Sequence, residues 1–271
     1  MIKMLKLEFM KLWATDYFKV LTVFWVIAFL SIPLGFNAIM DGLINGNHVE
    51  ENELLNPANW PVFDFVDLWQ NLGYIYKMIT IFLCLTLVIS TANEFRYKTV
   101  RQHVIDGLSR ENFFLSKLSY ILVASIVATV LLLIFGLIIG FALSPITEFA
   151  FIIKNIEFVG AYFLHLIHFL SFTLFITIWL KRSGFAIAFI LFWVYIIEPI
   201  TSALVHYNYK METLAAMFPL ESGWNLIPRG FTKYLFQDTQ DYVSGSSVLI
   251  ATVWIVLFLW GSYALLKKRD L

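Results

Sequence analysis

A chain of 271 residues that is 60% apolar, 18% aromatic and only 14% charged lies far from the composition of a soluble domain of that length. Its 19 basic and 19 acidic side chains cancel overall, and its single cysteine, Cys84, excludes an intramolecular disulfide.

In chain order, residues 2–13 (IKMLKLEFMKLW) form the first element. At about 100° per residue, Ile2, Leu5, Phe9, Leu12 and Trp13 share one arc, and Lys3, Lys6, Glu8 and Lys11 fall outside it. The pattern predicts an interfacial helix, apolar face in the acyl boundary and polar face in water. Thr15 or Asp16 can cap the span after it. Six apolar runs come next, at about 20–40, 72–92, 118–144, 158–180, 183–206 and 242–266. A run of 21 residues at about 1.5 Å each covers roughly 31 Å, the thickness of a hydrocarbon core. Such runs must be helices, because lipid offers the backbone no partner. The fold class expected is therefore an all-α polytopic membrane protein, one transmembrane domain over 1–271 with six spans.

The connections carry their own signals. Residues 41–71 are acidic and turn-rich, with Asn45-Gly46, Asn56-Pro57 and Trp60-Pro61 as punctuation, and Trp60 and Trp69 suit an outer interface. Pro145 ends the third span. Lys181-Arg182-Ser183-Gly184 is a tight turn that makes the fourth and fifth spans a hairpin. Residues 206–241 hold apolar clusters too short to span, separated by Pro219, Pro228 and Gly230, and read as short helices dipping into or lying on the membrane, or as an ordinary structured loop.

Charge sets the orientation. The two termini and the 94–117 and 181–182 connections together hold 14 basic residues and six acids, whereas the opposite loops hold four basic residues and 12 acids. The positive-inside rule then places both termini in the cytoplasm of a cell whose cytoplasmic membrane the chain spans. Because the first apolar run is too long for the core of a signal peptide, no cleaved leader is expected. Basic residues flank the apolar runs without an aromatic stacking pattern, so topology explains them and nucleic acid is not an expected partner.

Chemical motifs are sparse. The phosphate-binding loop Gly-x-x-x-x-Gly-Lys-Ser/Thr, the metalloprotease His-Glu-x-x-His and the Gly-x-Ser-x-Gly elbow are all missing. His165 and His168 share a helix face and could ligate a metal, but no third ligand stands at local spacing, so no metal is expected. Two charges lie inside spans, Lys77 and Glu198, at similar depths and near the level of His165. Charges at membrane depth usually face a cavity or a partner, so these three residues are candidates for a functional site, and under a transport reading for the mouth of the pathway. The alternative is that Pro199 ends the helix, leaving Glu198 in water and Lys77 snorkelling to headgroups.

The most informative stretch is the charged insert 94–117, EFRYKTVRQHVIDGLSRENFFLSK, set between two stretches, 78–93 and 118–147, that carry no charge. Phe95, Val104, Ile105 and Leu108 offer apolar anchors. Gly107 suits a left-handed helix cap, and Ser109 can cap the next helix with Glu111 in its first turn. A glutamate after the second span, Lys98-Thr99-Val100-Arg101, then Gly-Leu-Ser-Arg, two aromatics and a lysine resemble the type 2 permeases of ATP-binding-cassette exporters, in particular the small domain-less kind found among antibiotic- and lantibiotic-resistance permeases. The motif covers only 94–117; the architecture covers the chain. The resemblance implies a cytosolic coupling helix, with Glu94, Arg101, Gly107 and Arg110 contacting a separate ATPase subunit that binds ATP and magnesium. It also implies a second permease copy or a homologous permease, joined chiefly through the second and fifth spans, and no catalysis in this chain. Two further readings stand beside it: a stand-alone secondary transporter or channel, and an intramembrane metal-dependent enzyme using the histidines and Glu198.

Overall fold

The computed structural model describes residues 2–45, 62–100, 102, 109–207, 210–230 and 240–268. The Asn56-Pro57 and Trp60-Pro61 punctuation, Arg101, Gly107 and the anchors Val104, Ile105 and Leu108 lie outside the described residues.

Helix α1 (Ile2–Trp13) meets α2 (Asp16–Asn45) at 91°. The corner is held where the Thr15 amide and hydroxyl both donate to the Leu12 carbonyl, at 3.0 and 2.6 Å. In α2 the buried stripe is Phe18, Trp25 and Phe29, and Val23, Phe24, Ile27 and Leu30 on the other side are exposed. Phe29 stacks on Tyr76 at 4.0 Å, and the Tyr76 hydroxyl donates to the Phe29 carbonyl at 3.0 Å, which fixes α2 against the second span.

The helices flanking the charged insert are long. Helix α3 (Phe65–Arg96) has 32 residues and α4 (Arg110–Leu143) has 34. At about 1.5 Å per residue each is roughly 50 Å, well beyond a ~30 Å hydrocarbon core. Ser109 caps α4 by accepting the Asn112 amide at 3.2 Å, and Glu111 sits in the first turn, as the sequence indicates. α4 ends at Leu143, two residues before Pro145. Two glycines one turn apart let α3 approach it: a Cβ on Gly136 would stand 2.5 Å from the Trp69 ring, and one on Gly140 would overlap the Phe65 ring. Small residues at such spacing are what bring helices together where lipid removes the hydrophobic drive.

A short turn, α5 (Phe149–Ile152), leads to the central helix α6 (Glu157–Leu180), which packs against α3, α4 and the last helix. Lys181 then takes a left-handed conformation (φ 57°), and α7 (Ser183–Phe192) returns at once, giving the expected hairpin. The fifth span does not stop at Pro199. It continues through a widened turn, Trp193–Ile197, into α8 (Glu198–Tyr207). The widening lies directly before Pro199, whose missing N–H withdraws a donor from that turn. Two short helices, α9 (Glu212–Ala216) and α10 (Glu221–Trp224), precede α11 (Gly245–Lys268).

Among the described residues, five helices are long and apolar enough to cross a membrane, and the count reaches six if the N-terminal pair, bent by 91°, is taken as one span. The described residues build two apolar cores, one near each end of the bundle, both crossed by α3 and α6. The second span is enclosed by its neighbours, and the fifth is largely open, with Phe185, Phe192, Tyr195, Ile200 and Leu204 all exposed.

Two placements differ from the sequence reading. Trp69 is wholly buried rather than interfacial, with its indole N–H donating to the Ile152 carbonyl at 2.7 Å. Glu8 does not share the solvent face of α1 with the lysines; it is 1% exposed. On a helical wheel Glu8 lies only about 40° from Leu12, which is buried too, so both face the bundle.

Candidate functional site

Two polar clusters are buried at opposite ends of the bundle. On the face that carries α1 and both ends of the charged insert, Lys117 is fully enclosed. Its ammonium donates to Glu8 at 2.5 Å, to Glu94 at 2.7 Å and to the Ser90 hydroxyl at 3.1 Å. Lys11 approaches the other oxygen of Glu94 at 3.7 Å. Thus α1, the end of α3 and the start of α4 are joined through one cation. Burial by itself would raise the Glu8 carboxyl, but the Lys117 ammonium beside it, helped by Lys11, holds it below its ordinary value of 4.5. A buried charge is tolerated only when paired and hydrogen-bonded in this way.

Of the four residues expected to touch an ATPase, Glu94 is therefore committed inside the subunit, with 12% of its side chain exposed. Arg110 donates to the carbonyls of Leu266 and Lys267, at 3.0 and 2.9 Å, and so caps the C-terminal end of α11. Glu111 reinforces that join by accepting the Tyr263 hydroxyl at 2.8 Å.

At the opposite end, Lys77, His165 and Glu198 do come together, but not as an ion pair. They grip one short segment. Glu198, 3% exposed, accepts the amides of Leu220 and Glu221 at 2.5 and 2.7 Å, and its second oxygen accepts the Trp193 indole at 2.6 Å. Lys77, also 3% exposed, donates to the carbonyls of Trp224 and Ile227 at 2.9 and 2.6 Å. Its ammonium also lies over the rings of Tyr74 and Trp224, at 4.5 and 4.9 Å. The anion thus meets the amides at the start of α10, and the cation meets the carbonyl of its last residue, Trp224, and that of Ile227 just beyond it, an arrangement that suits the polarity of a helix's ends. Neither water exposure for Glu198 nor snorkelling for Lys77 describes them.

The histidines hold the same segment. His165 Nδ1 lies 3.0 Å from the Gly223 carbonyl, and His168 hydrogen-bonds the backbone of Pro219. A Cβ at Gly223 would overlap the His168 ring, so only glycine fits there. Trp254 of α11 donates to the Met217 carbonyl at 3.0 Å, and Gln70 donates to that of Pro228 at 3.3 Å. Glu221, in α10 itself, has its carboxyl raised by burial, against the opposing pull of Lys77 and Arg229. Each intramembrane ionisable group found in the sequence is thus an anchor of residues 217–228.

Among the described residues, no group of three His, Cys, Asp or Glu side chains is placed to hold a metal ion. Cys84 is buried, with the Thr173 hydroxyl 3.4 Å from its sulfur. The sequence reading missed Lys117 and Glu8 as partners, though one signal was available: Glu8 is the only acid in an otherwise basic helix, next to the Leu5 and Leu12 stripe.

This is a polytopic, mostly helical membrane protein, with an architecture consistent with a role in transport. Residues 50–271 match the family model described as "Protein of unknown function (DUF2705)", and the chain belongs to that family. A comparison with curated proteins gave no match.

Proposed function

We propose that this chain is the membrane permease subunit of an ATP-binding-cassette exporter, with both termini in the cytoplasm of a cell whose cytoplasmic membrane it spans. A separate ATPase subunit binds and hydrolyses ATP, and a second permease, identical or homologous, completes the pathway. The observation that carries this reading is the Lys117 cluster. A charged connection between two apolar spans is only a loop unless a push on it reaches the bundle. Here both of its ends are fastened, Glu94 and Lys117 to α1 and Arg110 to α11, so a displacement of 94–117 moves two other helices, α1 and α11, with it.

Glu94 and Arg110 act in this scheme by rigidifying the connection, leaving Arg101 and Gly107 as the candidate contacts with the ATPase. Lys77, His165 and Glu198 act as the fasteners of a plug, residues 217–228, at the far end of the bundle. Rocking of one bundle against another would open or close that end. The open face of the fifth span is the candidate surface for the second permease.

The test is co-purification of the tagged chain with an ATPase subunit from its native membrane, followed by the Arg101→Glu variant. The variant should still insert and fold but lose the ATPase or its coupled hydrolysis. If both persist unchanged, the coupling role fails.

A further inference from the structure

Between the end of α3 and the turn joining α6 to α7 lies a cleft of about 810 Å³. It is lined by four cations, Arg96, Lys98, Lys181 and Arg182, and its one acid among the described residues is Glu94. The Glu94 carboxylate is already committed to Lys117 and Lys11, so the cleft is strongly positive. Aromatic rings hold three of the cations: Lys181 lies 5.4 Å from the Phe95 ring centroid, Arg182 lies 5.9 Å from that of Phe185, and Arg96 lies 5.6 Å from that of Tyr97. Lys98 and Lys181 both sit at left-handed corners (φ 56° and 57°), so the backbone itself turns at each of these two cations.

The first turn of α7 lines the same cleft through Ser183, Gly184 and Phe185. No side chain caps that helix start, and a Cβ on Gly184 would meet nothing within 4 Å. Helix amides and fixed cations converge on one volume, an arrangement suited to phosphate oxygens. The walls are not polar throughout. Val100, Leu180 and Phe185 line the cleft, and Phe185 (64% exposed) begins an open apolar stripe on α7 that continues at Phe192 (51% exposed), about two helical turns further on.

We propose that this cleft binds the headgroup of an anionic phospholipid, with the phosphate among Arg96, Lys98 and Arg182 and an acyl chain laid along the Phe185–Phe192 stripe of α7. A free phosphate would use the cations but not the stripe, whereas a lipid uses both. The position also fits: basic pockets between membrane helices at the bilayer surface bind such headgroups. The site is independent of the transport reading, because it requires neither an ATPase nor a second permease.

The full chain in detergent micelles, titrated with phosphatidylglycerol or phosphatidylcholine and read by native mass spectrometry and thermal unfolding, tests it. Phosphatidylglycerol should be retained and should raise the unfolding midpoint; phosphatidylcholine and inorganic phosphate should do neither at equal concentration. The Arg96→Gln/Arg182→Gln variant should bind phosphatidylglycerol about thirtyfold more weakly, the effect of removing two surface cations. Lys98→Asn, which keeps a residue tolerant of the left-handed corner, should weaken it about fivefold if the double variant does not fold. Lys267→Gln/Lys268→Gln, on the same face but outside the cleft, should bind as wild type.

Equal retention of both lipids, or undiminished phosphatidylglycerol binding in the folded cleft variants, overturns the proposal. Stabilisation by inorganic phosphate equal to that by lipid would make this a free-anion site, and loss of a co-purifying protein with lipid binding unchanged would make it a protein-docking site. Either result also overturns it.

Discussion

Replacing Lys117 by methionine should strike the structure harder than any surface change. The side chain is fully enclosed, and its removal leaves the carboxylates of Glu8 (2% exposed) and Glu94 (12% exposed) facing each other without their shared cation. Breaking a buried ion pair from one side costs about 3–5 kcal/mol, because the surviving charge remains desolvated. For a domain of this size that is a fall of on the order of 10 °C in unfolding midpoint. The second half of the experiment separates charge from packing. In Lys117→Met/Glu8→Met both buried members of the pair become apolar, and Glu94 keeps Lys11 at 3.7 Å. The double variant should therefore recover much of the loss, with a coupling of roughly 2 kcal/mol or more between the two sites. Reversible unfolding in mixed micelles, followed by tryptophan fluorescence, gives all three values. A single variant within about 1 kcal/mol of wild type, or strict additivity in the double, would refute the reasoning.

Acid should act on the same cluster: because the folded Glu8 carboxyl lies below 4.5, its contribution is complete above that pH and is lost as the pH falls through the folded value. The wild type should therefore lose stability below pH 4.5 more steeply than Glu8→Gln, which a pH series of melts would show. At the other end, Lys77→Met leaves the buried Ile227 carbonyl without its donor and the Trp224 carbonyl with only the Ile227 amide at 3.4 Å, and should cost about 1–3 kcal/mol, with faster proteolysis of 217–228 as its local signature. Glu198→Gln should do the same more mildly, and the two should not add, since both release one segment. Gly140→Ala should cost about 1–3 kcal/mol through its clash with Phe65, whereas Gly160→Ala, with open space around its Cβ, should be neutral or stabilising by up to ~1 kcal/mol in the same melts.

The sequence by itself determined the class and the presence of the long apolar helices. Long uncharged runs such as 118–144 have only one solution in lipid, and the cap at Ser109 and the break at Lys181 are local chemistry that needs no tertiary partner. It also picked out Lys77, His165 and Glu198, because ionisable groups within apolar runs are conspicuous without any structure. What it left undecided was which groups these charges meet. Lys77 and Glu198 have similar depths along their helices, which suggests a pair; only the packing shows residues 217–228 seated between them, each charge taking one end of α10. Likewise Lys117 reads as one more topogenic cation until α1 folds under the bundle and brings Glu8 from 109 residues away. Hydropathy reports how deep a residue lies in the membrane, whereas the partner that neutralises a charge is fixed by how the helices rotate and pack.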